Sequence, residues 1–201
     1  FTMFSHCVYG YNIRNELVSA TKNAKGAEVL EYQYQYSTNS LTPNSSTPSF
    51  ISMSYDRMGR RVTKNNQRFI YDGYLQIANS ELKTPNSKLQ TFVWDPTEPV
   101  ATRPLAWLVL RSLGEGGYYA HDGNKNVSEV VAAASGTNAT VEVVAHYDYA
   151  AFGAVIAQKG DCAEANPWRF SSEYEDMELG LDYYNYRHYE PVTGRWLSRD
   201  P

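Results

Sequence analysis

Polar and apolar positions alternate with a period of two through much of this chain. Glu31–Tyr36 sets Tyr32, Tyr34 and Tyr36 on one face and Gln33 and Gln35 on the other. That spacing predicts a strand, because successive side chains of an extended backbone point to opposite faces. On a helix the same tyrosines would scatter around the circumference. The alternation returns at Phe69-Ile70-Tyr71, Phe92-Val93-Trp94 and Val141–Tyr147. Aromatic runs of this kind meet an Asp or Asn at Asn12, Asp56, Asp72, Asp95, Asp122 and Asp148, residues whose side chains cap turns. Tyr55-Asp56 followed by Gly59 reads as strand, tight turn, strand, with Gly59 free to take a positive φ. A recurring unit of about 20 residues signals a repeat architecture, and here the unit is a hairpin. The fold class expected is all-β, a meander of antiparallel hairpins. Helix is minor, with Ala106–Leu113 and Glu129–Ala134 as weak candidates. The polar stretch 37–49 interrupts the pattern as a loop insertion.

The pattern changes at Asn166. Residues Asn166–Pro201 hold five tyrosines, two tryptophans and four arginines, with Asn166-Pro167, Gly180 and Gly194 as turn signals. We therefore divide the chain into hairpin repeats over 1–165 and a compact Tyr-rich module over 166–201.

Composition sharpens this reading. With 17 Tyr and 14% aromatics, much of the apolar surface sits in rings that carry a hydroxyl and suit half-buried strands. Such a chain is not disordered. A net charge of −4 offers no clustered basic surface, so no nucleic-acid partner is expected. Cys7 and Cys162 stand far apart without a CxxC and are expected as free thiols. Phe1–Phe4 shows no secretion leader, and the apolar run Ala106–Leu110 is too short to span a bilayer. The chain starts without Met and stops at Asp-Pro, as an excerpt of a longer polypeptide would.

Most candidate chemistry has an ordinary explanation. Glu173, Glu175, Asp176 and Glu178 could form an acid/base pair or a cation site, but four acids so close together are expected as a solvated turn. His6, His121, His146 and His188 lack metal-ligand spacing, and no metal or cofactor is expected. Asn44, Asn126 and Asn138 open glycosylation sequons by spacing. Arg187 among Tyr184, Tyr186 and Tyr189 would ordinarily be cation–π packing.

The Tyr-Asp units resemble the YD repeats of bacterial RHS proteins and of the animal teneurins. The final stretch is similar to the RHS repeat-associated core domain. The similarity rests on Arg169-Phe170, Ser172-Glu173-Tyr174, Asp176-Met177-Glu178, Gly180-Leu181, Tyr183-Tyr184-Asn185, Arg187-His188-Tyr189-Glu190-Pro191, Gly194-Arg195-Trp196 and Asp200-Pro201, in the family's order. Ser172 stands where the family has glycine, which weakens any claim that the backbone there requires a positive φ. The resemblance implies a hollow, spiralling shell of hairpins that encloses a C-terminal cargo, often a toxin. It also implies an aspartyl-type self-cleavage involving Arg187 and Asp200, with a second Asp beyond Pro201. By itself this stretch would be inactive. The implied partners are the cargo domain of the same polypeptide, neighbouring repeats and delivery-machinery proteins. The implied setting is bacterial, secreted or at the cell surface. The alternative is a surface module that binds carbohydrate or protein through exposed tyrosines.

Overall fold

The structure, a computed structural model, describes residues 7–12, 14, 16–22, 49–81, 89–97, 103–110, 116–133 and 140–199. These residues form two antiparallel sheets and one 3-10 turn, Phe170–Ser172, with no α-helix among the described residues. The first sheet opens with β1 (Cys7–Tyr11), β2 (Leu17–Lys22), β3 (Ser49–Tyr55) and β4 (Arg61–Lys64). It continues through β5 (Gln67–Asp72), β6 (Leu75–Glu81), β7 (Leu89–Trp94) and β8 (Pro104–Leu110). It ends with β9 (Gly116–His121), β10 (Val127–Ala133), β11 (Val141–Tyr149) and β12 (Val155–Lys159). The second sheet comprises β13 (Tyr174–Asp176), β14 (Leu181–Tyr184), β15 (Arg187–Glu190) and β16 (Arg195–Trp196).

Both sheets keep strict chain order. Hairpin units dictate this, because each strand finds its partner in its immediate successor. The all-β meander expected from the period-two pattern is present, and the sheets do not close on themselves. The helix candidates are strands instead: 106–110 lies in β8 and 129–133 in β10. Short apolar runs are ambiguous by pattern alone, and pairing on both sides decides for strand here. The expected strand Glu31–Tyr36 lies outside the described residues. So does the loop over 37–49, apart from Ser49, which opens β3.

The Asx residues do cap turns. One carboxylate oxygen of Asp56 accepts the N–H groups of Met58 at 2.8 Å and Arg60 at 3.0 Å. The Asp56 N–H reaches the Arg60 carbonyl at 2.9 Å, and Arg60 Nε returns to the second carboxylate oxygen at 2.7 Å. Asp122 repeats the arrangement with Asn124 and Asn126, and Asn12 with Arg14 and Glu16. Asp95 caps Thr97. Gly59 closes the first of these loops at φ 78°, as its position predicts. Asp72 and Asp148 depart from the pattern. Asp72 ends β5 before a two-residue connection, Gly73-Tyr74, and Asp148 stays inside β11. The loop after β11 is closed by the Ala150 N–H on the Ala154 carbonyl, without an Asx residue.

The aromatic half of the motif fastens one strand to the strand before it. Strand register shifts beside Tyr55, Tyr71, Trp94 and Tyr149, and such a bulge re-aims the side chain. Each ring then donates to a carbonyl near the start of the preceding strand. Tyr55 Oη reaches Leu17 O at 2.6 Å, and Tyr71 Oη reaches Arg61 O at 2.9 Å. Trp94 Nε1 reaches Gln76 O at 2.9 Å, and Tyr149 Oη reaches Val127 O at 2.6 Å.

The large sheet buries Phe69, Phe92, Tyr119 and Tyr147 on one face, and the second sheet packs there. Trp168 meets Phe92 and Trp94 edge-on at 5.3 and 4.8 Å, and Tyr174 meets Phe69 at 5.7 Å. At Gly153 (φ 96°) an added Cβ would fall 2.4 Å from the Phe170 ring, so contact there requires glycine. The opposite face carries the cross-strand row Val93, Ala106, Tyr118, Val131 and Val143.

If the aromatic clasps stabilise the sheet, Tyr55→Phe and Tyr149→Phe should each cost about 1 kcal/mol in urea unfolding. Asp148→Ala, on an exposed side chain, should stay within about 0.5 kcal/mol. Equal tolerance of all three would overturn this division of labour.

Candidate functional site at the seam between the sheets

The chemistry-bearing residues gather where the second sheet meets the first. Arg61 opens β4 and is 0% exposed. Its Nη1 donates to Asp176 of β13 at 2.8 Å, and its Cζ lies 4.5, 4.8 and 5.0 Å from the ring centroids of Tyr183, Phe69 and Tyr174. Its remaining guanidinium nitrogens have no acceptor and are left to that ring cage. The Arg61 N–H donates to Tyr183 Oη at 2.7 Å, and Tyr183 donates onward to Asn185 O at 2.6 Å. Lys64, at the other end of β4, reaches the other Asp176 oxygen at 2.5 Å and Glu178 at 2.9 Å. Burial works against an ionised Asp176, yet Arg61 and Lys64 hold its carboxyl below the usual range. Beneath the pair, His188 of β15 is neutral: burial, helped by Arg61, pushes its imidazole down to about 3.

A second buried arginine secures the module's entry. Arg169 donates to Asn166 O at 3.0 Å, Ala163 O at 2.7 Å and Glu175 at 2.9 Å, and its guanidinium lies over the Tyr147 ring. Asn166 ties in Tyr119 and Tyr147, which belong to the large sheet. The next turn is strained, with Ser171 at φ 52° and Ser172 at φ 60°. Asn126 Oδ1 holds Ser171 N at 2.8 Å, and Lys125 O accepts from Ser172 Oγ at 2.6 Å. Ser172 therefore keeps a positive φ without being glycine, the hydroxyl bond offsetting part of the cost.

The acidic cluster is not a solvated turn. Asp176 is 1% exposed and Glu175 is paired with Arg169, while Glu178 remains exposed. The cations on Asp176, Arg61 and Lys64, lie far away along the chain, whereas Arg169 is close in sequence to Glu175. Asp182 of β14 is buried too, and burial, aided by Glu175 and Glu173, raises its carboxyl to about 8. Glu173 is raised to about 8 by burial alone.

Of the residues singled out from the sequence, Arg187 lies in β15, paired across the sheet with Tyr184. Its Cζ sits 3.9 Å from the centroid of Trp196, a ring outside the expected tyrosine set. Asp200 lies outside the described residues. Cys162 is a free thiol. Asn126 is 6% exposed with its amide bonded to Asp122, so this sequon is closed to a glycan. His121 and His146 join no cluster of metal-ligand type among the described residues. Arg61 and Lys64 escaped sequence reasoning. The only signal was a pair of cations on a short strand otherwise patterned to face inward.

No family model matches the chain. It is 28% identical over 174 residues to double-stranded DNA deaminase toxin A of Burkholderia cenocepacia, covering 74% of this chain and 12% of that protein. It is 51% identical over 37 residues to toxin protein Tse5 of Pseudomonas aeruginosa, covering 18% of this chain and 3% of that one. A crystal structure of TcdB2-TccC3 superposes with a TM-score of 0.64 at 20% identity, over 97% of this chain and 9% of that chain. The chain thus spans a small fraction of each protein it matches. Kinship with bacterial toxin proteins is present in sequence, and the likeness to TcdB2-TccC3 is one of fold. No helix among the described residues is long and apolar enough to cross a membrane.

Two outcomes follow for the seam. Asp176→Ala should destabilise the protein by about 3–5 kcal/mol in chemical unfolding, because it strands a buried guanidinium. Adding Arg61→Met should recover part of that loss. A further loss in the double variant would show that the pair is not the unit. The second outcome concerns pH. Asp182 and Glu173 have raised values, so their stabilisation is complete below the unfolded range near 4 and is lost as pH rises towards 8. His188 and Asp176 have lowered values, and their contribution is lost as pH falls. The melting temperature should therefore peak on the acid side of neutral and decline up to about pH 8. That decline should be shallower in Asp182→Asn; an unchanged slope would remove Asp182 from the account.

Proposed function

We propose that this chain is a segment of an RHS-type shell. Residues 1–165 form repeats of its wall, and residues 166–201 form the core module that seats on the wall's inner face. The reading rests chiefly on that seat. A Tyr-rich four-stranded sheet is locked onto the aromatic face of a long hairpin meander by buried Arg61 and Arg169. Such an arrangement suits a plug at one end of an enclosure better than a free-standing repeat array. Similarity to proteins named as toxins supports a toxin as the enclosed cargo. The chain spans only a small part of those relatives, so cargo, neighbouring repeats and delivery-machinery contacts belong to the rest of an exported bacterial parent.

The core module contributes to self-cleavage of that parent. Arg187 and Asp200 act with a second Asp that follows Pro201 in the polypeptide. One carboxylate takes a proton from water as the water oxygen bonds to the scissile carbonyl carbon. The protonated carboxyl gives its proton to the departing amide nitrogen, so one water is consumed and the two carboxyls exchange roles. Arg187, stacked on Trp196 close to the end of the module, keeps the first carboxylate ionised. In a polypeptide continuing through the downstream Asp, Arg187→Ala and Asp200→Asn should each leave the chain uncleaved on a denaturing gel. Normal processing of both variants would refute the assignment.

A further inference from the structure

Apart from the ion pairs, a cavity of about 30 Å³ lies between the two sheets. Gln76 of β6 and Trp94 of β7 wall it on one side, and Trp168, Glu173 and Tyr174 on the other. The walls are mostly rings, Ser172 and Asn185 are among the other polar residues that line it, and three polar groups bear on what it holds. Gln76 and Trp168 are 3% and 4% exposed, yet Gln76 Nε2 and Trp168 Nε1 have no protein acceptor. Trp94 brings the two residues together. Its Nε1 donates to the Gln76 carbonyl, and its ring meets that of Trp168 edge-on at 4.8 Å. The two facing walls therefore hold one satisfied indole and one unsatisfied indole. The third polar group is the carboxyl of Glu173.

Buried donors are almost always paired, and an unpaired one is costly. Two of them bordering one cavity, with a carboxyl beside them, specify what the cavity takes. The occupant must accept two hydrogen bonds, which excludes a metal ion, and a water can bond the Glu173 carboxyl in either of its protonation states. The volume is about that of one water in the liquid, and buried waters make about three bonds.

We propose that this cavity is a built site for one water molecule, which accepts from Gln76 Nε2 and Trp168 Nε1 and donates to Glu173. The water links β6 to Trp168 and Glu173, which lead into the second sheet. This inference does not depend on the self-cleavage reading.

Water–protein cross-relaxation NMR on the 201-residue chain tests it. The Trp168 indole proton should show a cross-peak to water with the sign of a molecule tumbling with the protein. Gln76→Met, similar in length but without the N–H, should abolish it while the Trp94 indole resonance stays in place. Glu173→Gln, which preserves an acceptor, should retain it. Absence of the cross-peak in the unaltered protein would overturn the proposal, whatever the variants do. So would its full survival in folded Gln76→Met.

Discussion

A single buried guanidinium decides how the two sheets are joined. Arg61 is fully enclosed, and the interior tolerates its charge only because Asp176 pairs with it and three rings surround it. Removing a charge from water is expensive, and only good geometry compensates. Neither partner can be satisfied within its own sheet. The pair therefore acts less as a source of net stability than as a constraint on position. The second sheet has one place to sit, fixed by β4, and the aromatic contacts of Trp168, Tyr174 and Tyr183 fill in around that point.

The constraint organises the electrostatics nearby. With Arg61 and Lys64 committed to Asp176, no cation remains to ionise the buried Asp182, which is raised with only Arg169 to oppose its acidic neighbours. His188 stays neutral because it is buried and, secondarily, because Arg61 lies beside it. A sheet of four short strands thus holds one carboxyl that stays ionised and another that resists ionisation, on adjacent strands. The sign of each follows from which face of β13 or β14 it occupies, since only one face looks onto β4.

Much of the fold could be read from the sequence, because hairpins are local. Tyr55-Asp56 with Gly59 names a strand end, a capped loop and a positive φ within five residues, and the structure has all three. Asp148 was legible as a mark but not in its role, since pairing with β12 carries β11 one residue past it to Tyr149. The helix candidates in β8 and β10 show the limit of short apolar runs. The site was far less legible. Glu173, Glu175 and Asp176 read as a surface turn because the cations that pair with Asp176 lie 115 and 112 residues away, and Arg61 and Lys64 read as ordinary strand cations. What the chain encodes locally is the large sheet; what it encodes at long range is the docking of the small one. Ser172 is an intermediate case. Its backbone conformation was hidden by its identity and set by Asn126 and Lys125, partners in another hairpin.

The distance in sequence between Arg61 and Asp176, 115 residues, also fixes an order of events. Hairpins in strict succession close small loops and can form as soon as each pair of strands exists, whereas a contact of that span waits for nearly everything between its ends. During synthesis the large sheet can assemble strand by strand while Arg61 remains open to water at the start of β4. Its charge is enclosed only when β13 arrives with Asp176. The last step of folding is thus the one that removes the most expensive charge from solvent, and an incompletely made chain announces itself by an arginine that is still wet.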